Sequence, residues 1–296
     1  MIDRTTNDEP VDQHKRQRGF VLVAVIWLAG LIAALTTGFA VKVRVDALTA
    51  SNIVRNTQVE LIADGMARLA AWRLATAAQP TNNTRIECVW RKGVTVDVLI
   101  QDQSGLADIN ILPPTILAEL LRGLGADDRR AKEISEAILD FRDADSEAQS
   151  GGTEPKTYPE RNFGPKNAPY EAVEELDQLP DMDENLYRQL LPLVTVSSSQ
   201  AGIDPASAPL ALRKAFNQSA SGAFTGSLAN FVGASQGRTF GLDVRVTADN
   251  GARYRRLATA IILRQPERPF AFLTWQRGGE WTDNKAAARP TTSCFN

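Results

Sequence analysis

The stretch "RQRGFVLVAVIWLAGLIAALTTGFAVKVRVD" (Arg16–Asp46) sets basic residues directly before a long apolar run. From Phe20 to Val41 no charged side chain occurs, and about 22 residues at the helical rise cover the apolar core of a bilayer. His14, Lys15, Arg16 and Arg18 precede the run, so the amino end is predicted to stay cytoplasmic and the remainder to be exported. A secretory signal has a shorter apolar region closed by a small-residue cleavage site. Here "TTGFAVKV" ends the run and the helical pattern goes on. Val45, Leu48, Ile53, Val54, Leu61, Ile62, Leu69 and Trp72 recur at mixed helical spacings, which predicts one amphipathic stripe on a helix continuing to about Ala78. Pro80 and the polar "TNNT" then stop it.

The bulk composition narrows the function classes. With 296 residues, 43% hydrophobic and 23% charged, the chain has room for one large folded domain or two modest ones. A net charge of -2 gives no general pull towards nucleic acid or an anionic membrane. The single histidine, His14, lies in the polar leader, so Ser-His or Cys-His catalysis lacks its usual base, and no enzyme is expected. Cys88 and Cys294 stand in no CxxC pair. Outside the cytosol a single disulfide is the natural reading, with two unpaired thiols as the alternative.

Beyond the long helix, "RIECVWRK" and "VTVDVLIQD" alternate as strands around Gly93. Strand signals return only in "RTFGLDVRVTADNGARYRRLATAIILRQ", whose Asn250–Gly251 pair marks a hairpin, and in "PFAFLTWQR" (Pro269–Arg277). About 130 residues of helical pattern lie between the early and late strands. The expected class is α+β: a long amino-terminal transmembrane and amphipathic helix packed on an antiparallel sheet, with a large α-helical domain inserted. The expected boundaries are 20–80 for the helix, 81–104 with 238–296 for the sheet, and 105–237 for the insert.

Within the insert, "LADINILPPTILAELLRGLG" and "QAGIDPASAPLALRKAF" echo each other. In each, Asn110 or Asp204 is predicted to cap the helix that follows, with proline in its first turn. "AVEELDQLPDMDENLYRQLLPLVTV" (Ala172–Val196) predicts two short helices around a tight turn and resembles helix-hairpin-helix or SAM-like units. Its turn, "LPDMDE", carries three acids, which repel phosphate, so no nucleic-acid partner is expected.

Two features carry a closer resemblance. The junction "RGF" (Arg18–Phe20) opening an apolar helix resembles the processing site of type IV prepilin-like proteins. With it stand, in order, "DQSGLADINILPP", "LDFRDADSEAQSGGTEPKTY", "NAPYEAVEELDQLP", "LLPLVTV" and "GIDPASAPL". Together these resemble the protein K family, the largest minor pseudopilins of bacterial type II secretion systems, from about Arg18 to Pro209. The resemblance implies a pseudopilin fold and a leader, residues 1–19, cleaved between Gly19 and Phe20 by a prepilin peptidase, with methylation of the new terminus. It implies a single-pass inner-membrane protein with a periplasmic head. Its place is the tip of the pseudopilus, starting or capping assembly with minor pseudopilins I and J above the major pseudopilin. Other pseudopilins carry Glu where this chain has Ala24; a subunit without that carboxylate has no partner for the terminal amine of a neighbour above it. The alternative is a membrane-anchored periplasmic helix-hairpin-helix binding module that does not assemble.

Family members are also implied to bind calcium in the acidic "LDFRDADSEAQSGGTEPKTYPE". Closely spaced carboxylates on a turning loop suit a hard cation with six to eight oxygen ligands. Asp143, Asp145 and Glu154 stand at the matching acidic positions, while a solvated acidic loop is the plainer alternative.

Overall fold

The computed structural model describes residues 14–77, 83–144, 165–216, 226–281 and 292–294, with side chains from Phe20 on. By its internal packing the chain separates into two units, residues 1–57 and 58–296.

In the first unit lies most of a single helix, α1 (His14–Thr76). Its apolar side chains are bare: Phe20, Trp27, Leu35 and Phe39 are all exposed. Such a surface is stable only against lipid or other helices.

The second unit is built on a five-stranded antiparallel sheet: β1 (Thr84–Arg91), β2 (Val94–Asp102), β5 (Thr239–Ala248), β6 (Arg253–Ile262) and β7 (Phe270–Arg277), in the order β1-β2-β5-β6-β7. The alternation expected from sequence is what buries one face. Val94, Val96, Val98 and Ile100 of β2 and Phe240, Leu242, Val244 and Val246 of β5 point into a common core. Asn250 and Gly251 turn the β5–β6 hairpin, and Gly251 supplies a positive φ of 87°.

The last turns of α1 cover this face, though not with the expected stripe. Leu61 and Trp72 are exposed, whereas Val59, Ile62, Ala63, Met66, Ala67, Ala70, Ala71 and Leu74 are buried. The sequence stripe therefore mixed two faces of the helix. Alanines, weak as hydropathy signals, form much of the real contact because small side chains admit the sheet closely.

Between β2 and β5 the chain builds a second core of its own. It holds α2 (Pro114–Gly123), α3 (Asp128–Arg142), α4 (Glu184–Leu190), α5 (Leu210–Ala215), and a two-stranded parallel ladder of β3 (Ala107–Asp108) and β4 (Val194–Thr195). Ile116, Leu120, Ile134, Ile138, Leu176 and Leu212 are all but inaccessible, each worth about 1.5–3 kcal/mol of burial. A Cβ at Gly123 would lie 1.9 Å from the carbonyl oxygen of Ala215, so α2 ends where only glycine lets α5 pass. The predicted pair of short helices appears as a 3-10 turn (Val173–Gln178) and α4.

Two capping expectations fail. The residue before α2 is Pro113 and the residue before α5 is Pro209, neither with a side-chain cap. Asn110 instead reaches 60 residues along the chain, donating to the carbonyl oxygen of Tyr170 (2.9 Å) and accepting from its N–H (2.8 Å). Asp204 accepts from the N–H of Ala206 and the hydroxyl of Ser207 (2.6 Å). The intervening prolines push both side chains beyond reach of the helix amides, and they tie loops together.

Candidate membrane-assembly element and head sites

Gly19 and Phe20 lie within α1, with Ala24 one turn on. A window of mean hydropathy 2.5 falls within Phe20–Thr76, and none of it is buried. By length and composition this segment is able to cross a membrane. Ala24 offers only a methyl group between Val23 and Val25.

In the second unit Arg256 of β6 is sunk beneath α1, its side chain only 8% exposed. Its Nε donates to Asp64 (2.7 Å) and its terminal amine lies 3.4 Å from Glu60. The guanidinium centre sits 4.9 Å from the ring of Trp275 and 5.1 Å from that of Tyr254, and the Tyr254 hydroxyl donates to Glu60 (3.0 Å). A buried cation so enclosed helps fix how helix meets sheet, since a rotation of the helix that turns Glu60 and Asp64 away leaves it without a carboxylate. Sequence reading missed this cluster. Its one local signal is the pair Glu60 and Asp64, four apart on the same helix.

In the head, Asp108 is nearly inaccessible and holds four donors. One oxygen accepts from the Asn110 N–H (2.9 Å); the other accepts from Ser198 N–H and hydroxyl and from Ser199 N–H. Burial pushes its carboxyl above the ordinary range even though those donors pull the other way. Arg142, at the end of α3, donates to the carbonyl oxygens of Ile109 and Leu112, and burial lowers its pKa. Phe141 stacks on Tyr170 with centroids 4.8 Å apart.

Asp143 is the C-cap residue of α3, where the negative end of the helix favours a cation. Asp145 and Glu154 lie outside the described residues. Among the described residues no three His, Cys, Asp or Glu side chains gather as a metal site.

Cys88 and Cys294 are joined, with an S–S distance of 2.05 Å. The tail has further ties. Val89 exchanges backbone hydrogen bonds with Thr292 and Cys294, and Arg253 stacks over Trp281 at 4.1 Å.

Residues 100–199, from the end of β2 through the ladder and α2 to α4, match the family described as type II secretion system (T2SS), protein K. Over that segment the chain is similar to the protein K family. It is 28% identical over 204 residues to type II secretion system protein K of Klebsiella pneumoniae, covering 60% of this chain and 62% of that protein. To the same protein of Dickeya chrysanthemi it is 40% identical over 81 residues, 27% of this chain and 22% of that one. The matches thus span less than two thirds of either relative. A chain in the crystal structure of the GspK-GspI-GspJ complex of the enterotoxigenic Escherichia coli type 2 secretion system superposes with a TM-score of 0.58 at 17% identity. That superposition covers 81% of this chain and 100% of the other, and it shows a shared α+β fold.

Proposed function

We propose that this chain is a minor pseudopilin at the tip of the type II secretion pseudopilus, starting or capping its assembly during export of folded proteins across the outer membrane. The observation that carries the reading is the union of a bare apolar helix with a protein K head. Among the described residues nothing buries Phe20–Val43, so the helix needs lipid and neighbouring helices; in a bilayer, small residues such as Ala29, Gly30, Ala33 and Ala34 permit close packing with them. Basic residues before the span orient it with the amino end in the cytoplasm and the head in the periplasm. Cleavage by prepilin peptidase between Gly19 and Phe20, with methylation of the new terminus, leaves the helix in the mature protein. Ala24 suits a subunit with none above it. The partners are the counterparts of I and J, proteins found with GspK in the solved complex, and below them the major pseudopilin. The test is capture of the full chain in detergent with its neighbouring minor pseudopilins. Co-purification of both is expected; a chain that stays alone would favour the non-assembling tethered module instead.

The head is further proposed to take calcium through Asp143, Asp145 and Glu154, in the acidic segment after α3. Asp143 at the negative end of that helix supports it. Calcium at about 100 times its Kd should add about 2.7 kcal/mol to the head of the EDTA-stripped protein. A melting temperature that calcium leaves unmoved removes the site.

A further inference from the structure

Trp72 lies outside the face of α1 that packs on the sheet, and 51% of its surface is exposed. The residues that α1 buries there are Ala67, Ala70, Ala71 and Leu74, so the helix–sheet contact does not require an indole at this position. Trp72 borders an open cleft of about 380 Å³, whose other wall is Arg264, Pro266 and Pro269 of the β6–β7 turn. Clefts that take ligands begin at about 300 Å³.

The turn is held in shape by its own backbone. The Pro269 carbonyl oxygen accepts from the N–H groups of Leu263 (2.8 Å) and Arg264 (3.2 Å), and Arg264 takes a φ of 54°. A non-glycine residue keeps that left-handed conformation only where its surroundings hold it. This wall of the cleft is therefore set before anything binds.

The rim is basic. Among the described residues Arg73, Arg264 and Arg268 are exposed and have no ion-pair partner, and Glu267 is the one acid in the turn. Arg68, by contrast, is engaged: it lies 3.9 Å from Asp64 and 4.7 Å from the ring of Trp275. Three cations against one acid leave net positive charge around an apolar slot. Tryptophan and arginine are the side chains that binding surfaces favour. One indole and two prolines make too small a patch for a folded partner, whose interface needs about 800 Å² a side. A lipid headgroup would meet the arginines and leave the slot unused.

We propose that this cleft docks a short acidic segment of another protein. An aromatic side chain of that segment lodges between Trp72 and the two prolines, and its flanking carboxylates meet Arg73, Arg264 and Arg268. This goes beyond the tip assignment and stands without it.

The test uses the full chain in phosphatidylcholine nanodiscs and a dye-labelled synthetic peptide, one phenylalanine flanked by glutamates, read by fluorescence anisotropy. The peptide should bind, and added salt should weaken it. Trp72→Ala should weaken binding on the order of 30-fold, with Trp72→Phe recovering part of the loss. Arg264→Asn keeps a residue that tolerates the left-handed backbone; combined with Arg268→Gln it should weaken binding on the order of 10-fold. All these side chains are exposed, so the variants should melt with the wild type. A peptide that fails to bind, or binding that ignores Trp72→Ala, overturns the proposal. Equal binding by a peptide with glutamines for glutamates overturns the charge argument, and equal binding by glutamates without phenylalanine overturns insertion in the slot. Phosphatidylglycerol vesicles that bind through the same arginines, where the peptide does not, would assign the patch to a membrane and overturn the protein partner.

Discussion

Around the sheet, polarity is scarce and concentrated; in the head it is spread through the core. Among the described residues the buried polar side chains are Asp102, Gln103, Ser104, Asp108, Ser135, Asp140, Thr195, Ser198, Asp204 and Ser207 within the head or at its entry, against Thr239 and Arg256 in the sheet. The physical reason is the backbone. Ladder pairing satisfies the sheet's N–H and C=O groups, so its core can be apolar. The head joins short helices through irregular segments whose buried amides need partners, and side chains supply them. Asp108 does this for three separate backbone N–H groups, and Arg142 for two carbonyls. Polarity in the sheet serves register, and in the head it closes loops.

The sharpest break of that contrast is at Arg256. Arg256→Ala leaves Asp64 facing a buried void and should cost about 3–5 kcal/mol, read by urea unfolding of the full chain in detergent. If the cluster's role is register and not net stability, the double change Arg256→Met with Asp64→Leu should recover most of that loss, because an apolar pair of similar volume fills the site. Arg68, 3.9 Å from Asp64, is too exposed to take over. A double variant as unstable as the single would mean the ion pair itself holds the helix down.

How much of this was legible beforehand follows the same division. The strands and the Asn250–Gly251 hairpin were readable because alternation and turn chemistry are local. The bilayer-length apolar run was readable for the same reason. The buried face of α1 was misread because Ala63, Ala67, Ala70 and Ala71 carry little hydropathy while exposed Leu61 and Trp72 carry much. Asn110 looked like a cap because local rules see only the next helix; its partner Tyr170 is 60 residues away. Arg256 and Asp64 are separated by 192, and no pattern within either segment joins them. Of the expected calcium ligands only Asp143 falls among the described residues, at the end of α3.

A smaller effect at Asp108 separates two forces acting on one carboxylate. Asp108→Asn keeps an acceptor for one oxygen's donors and turns an amine towards the other's, so a loss of about 1–3 kcal/mol is expected. Its pH dependence carries the sign. The folded carboxyl is held above the ordinary range by burial, so between the ordinary carboxylate pKa and the raised value the native state binds the extra proton and wild-type stability falls as pH rises. Asparagine does not titrate. The gap between wild type and Asp108→Asn should therefore be widest in acid and narrow as pH climbs through the folded value, measured by urea unfolding between about pH 3 and pH 7. A gap that widens with pH would mean that the four donors, and not desolvation, set the proton affinity of this residue; the head's buried acids would then be strong anchors in their charged form.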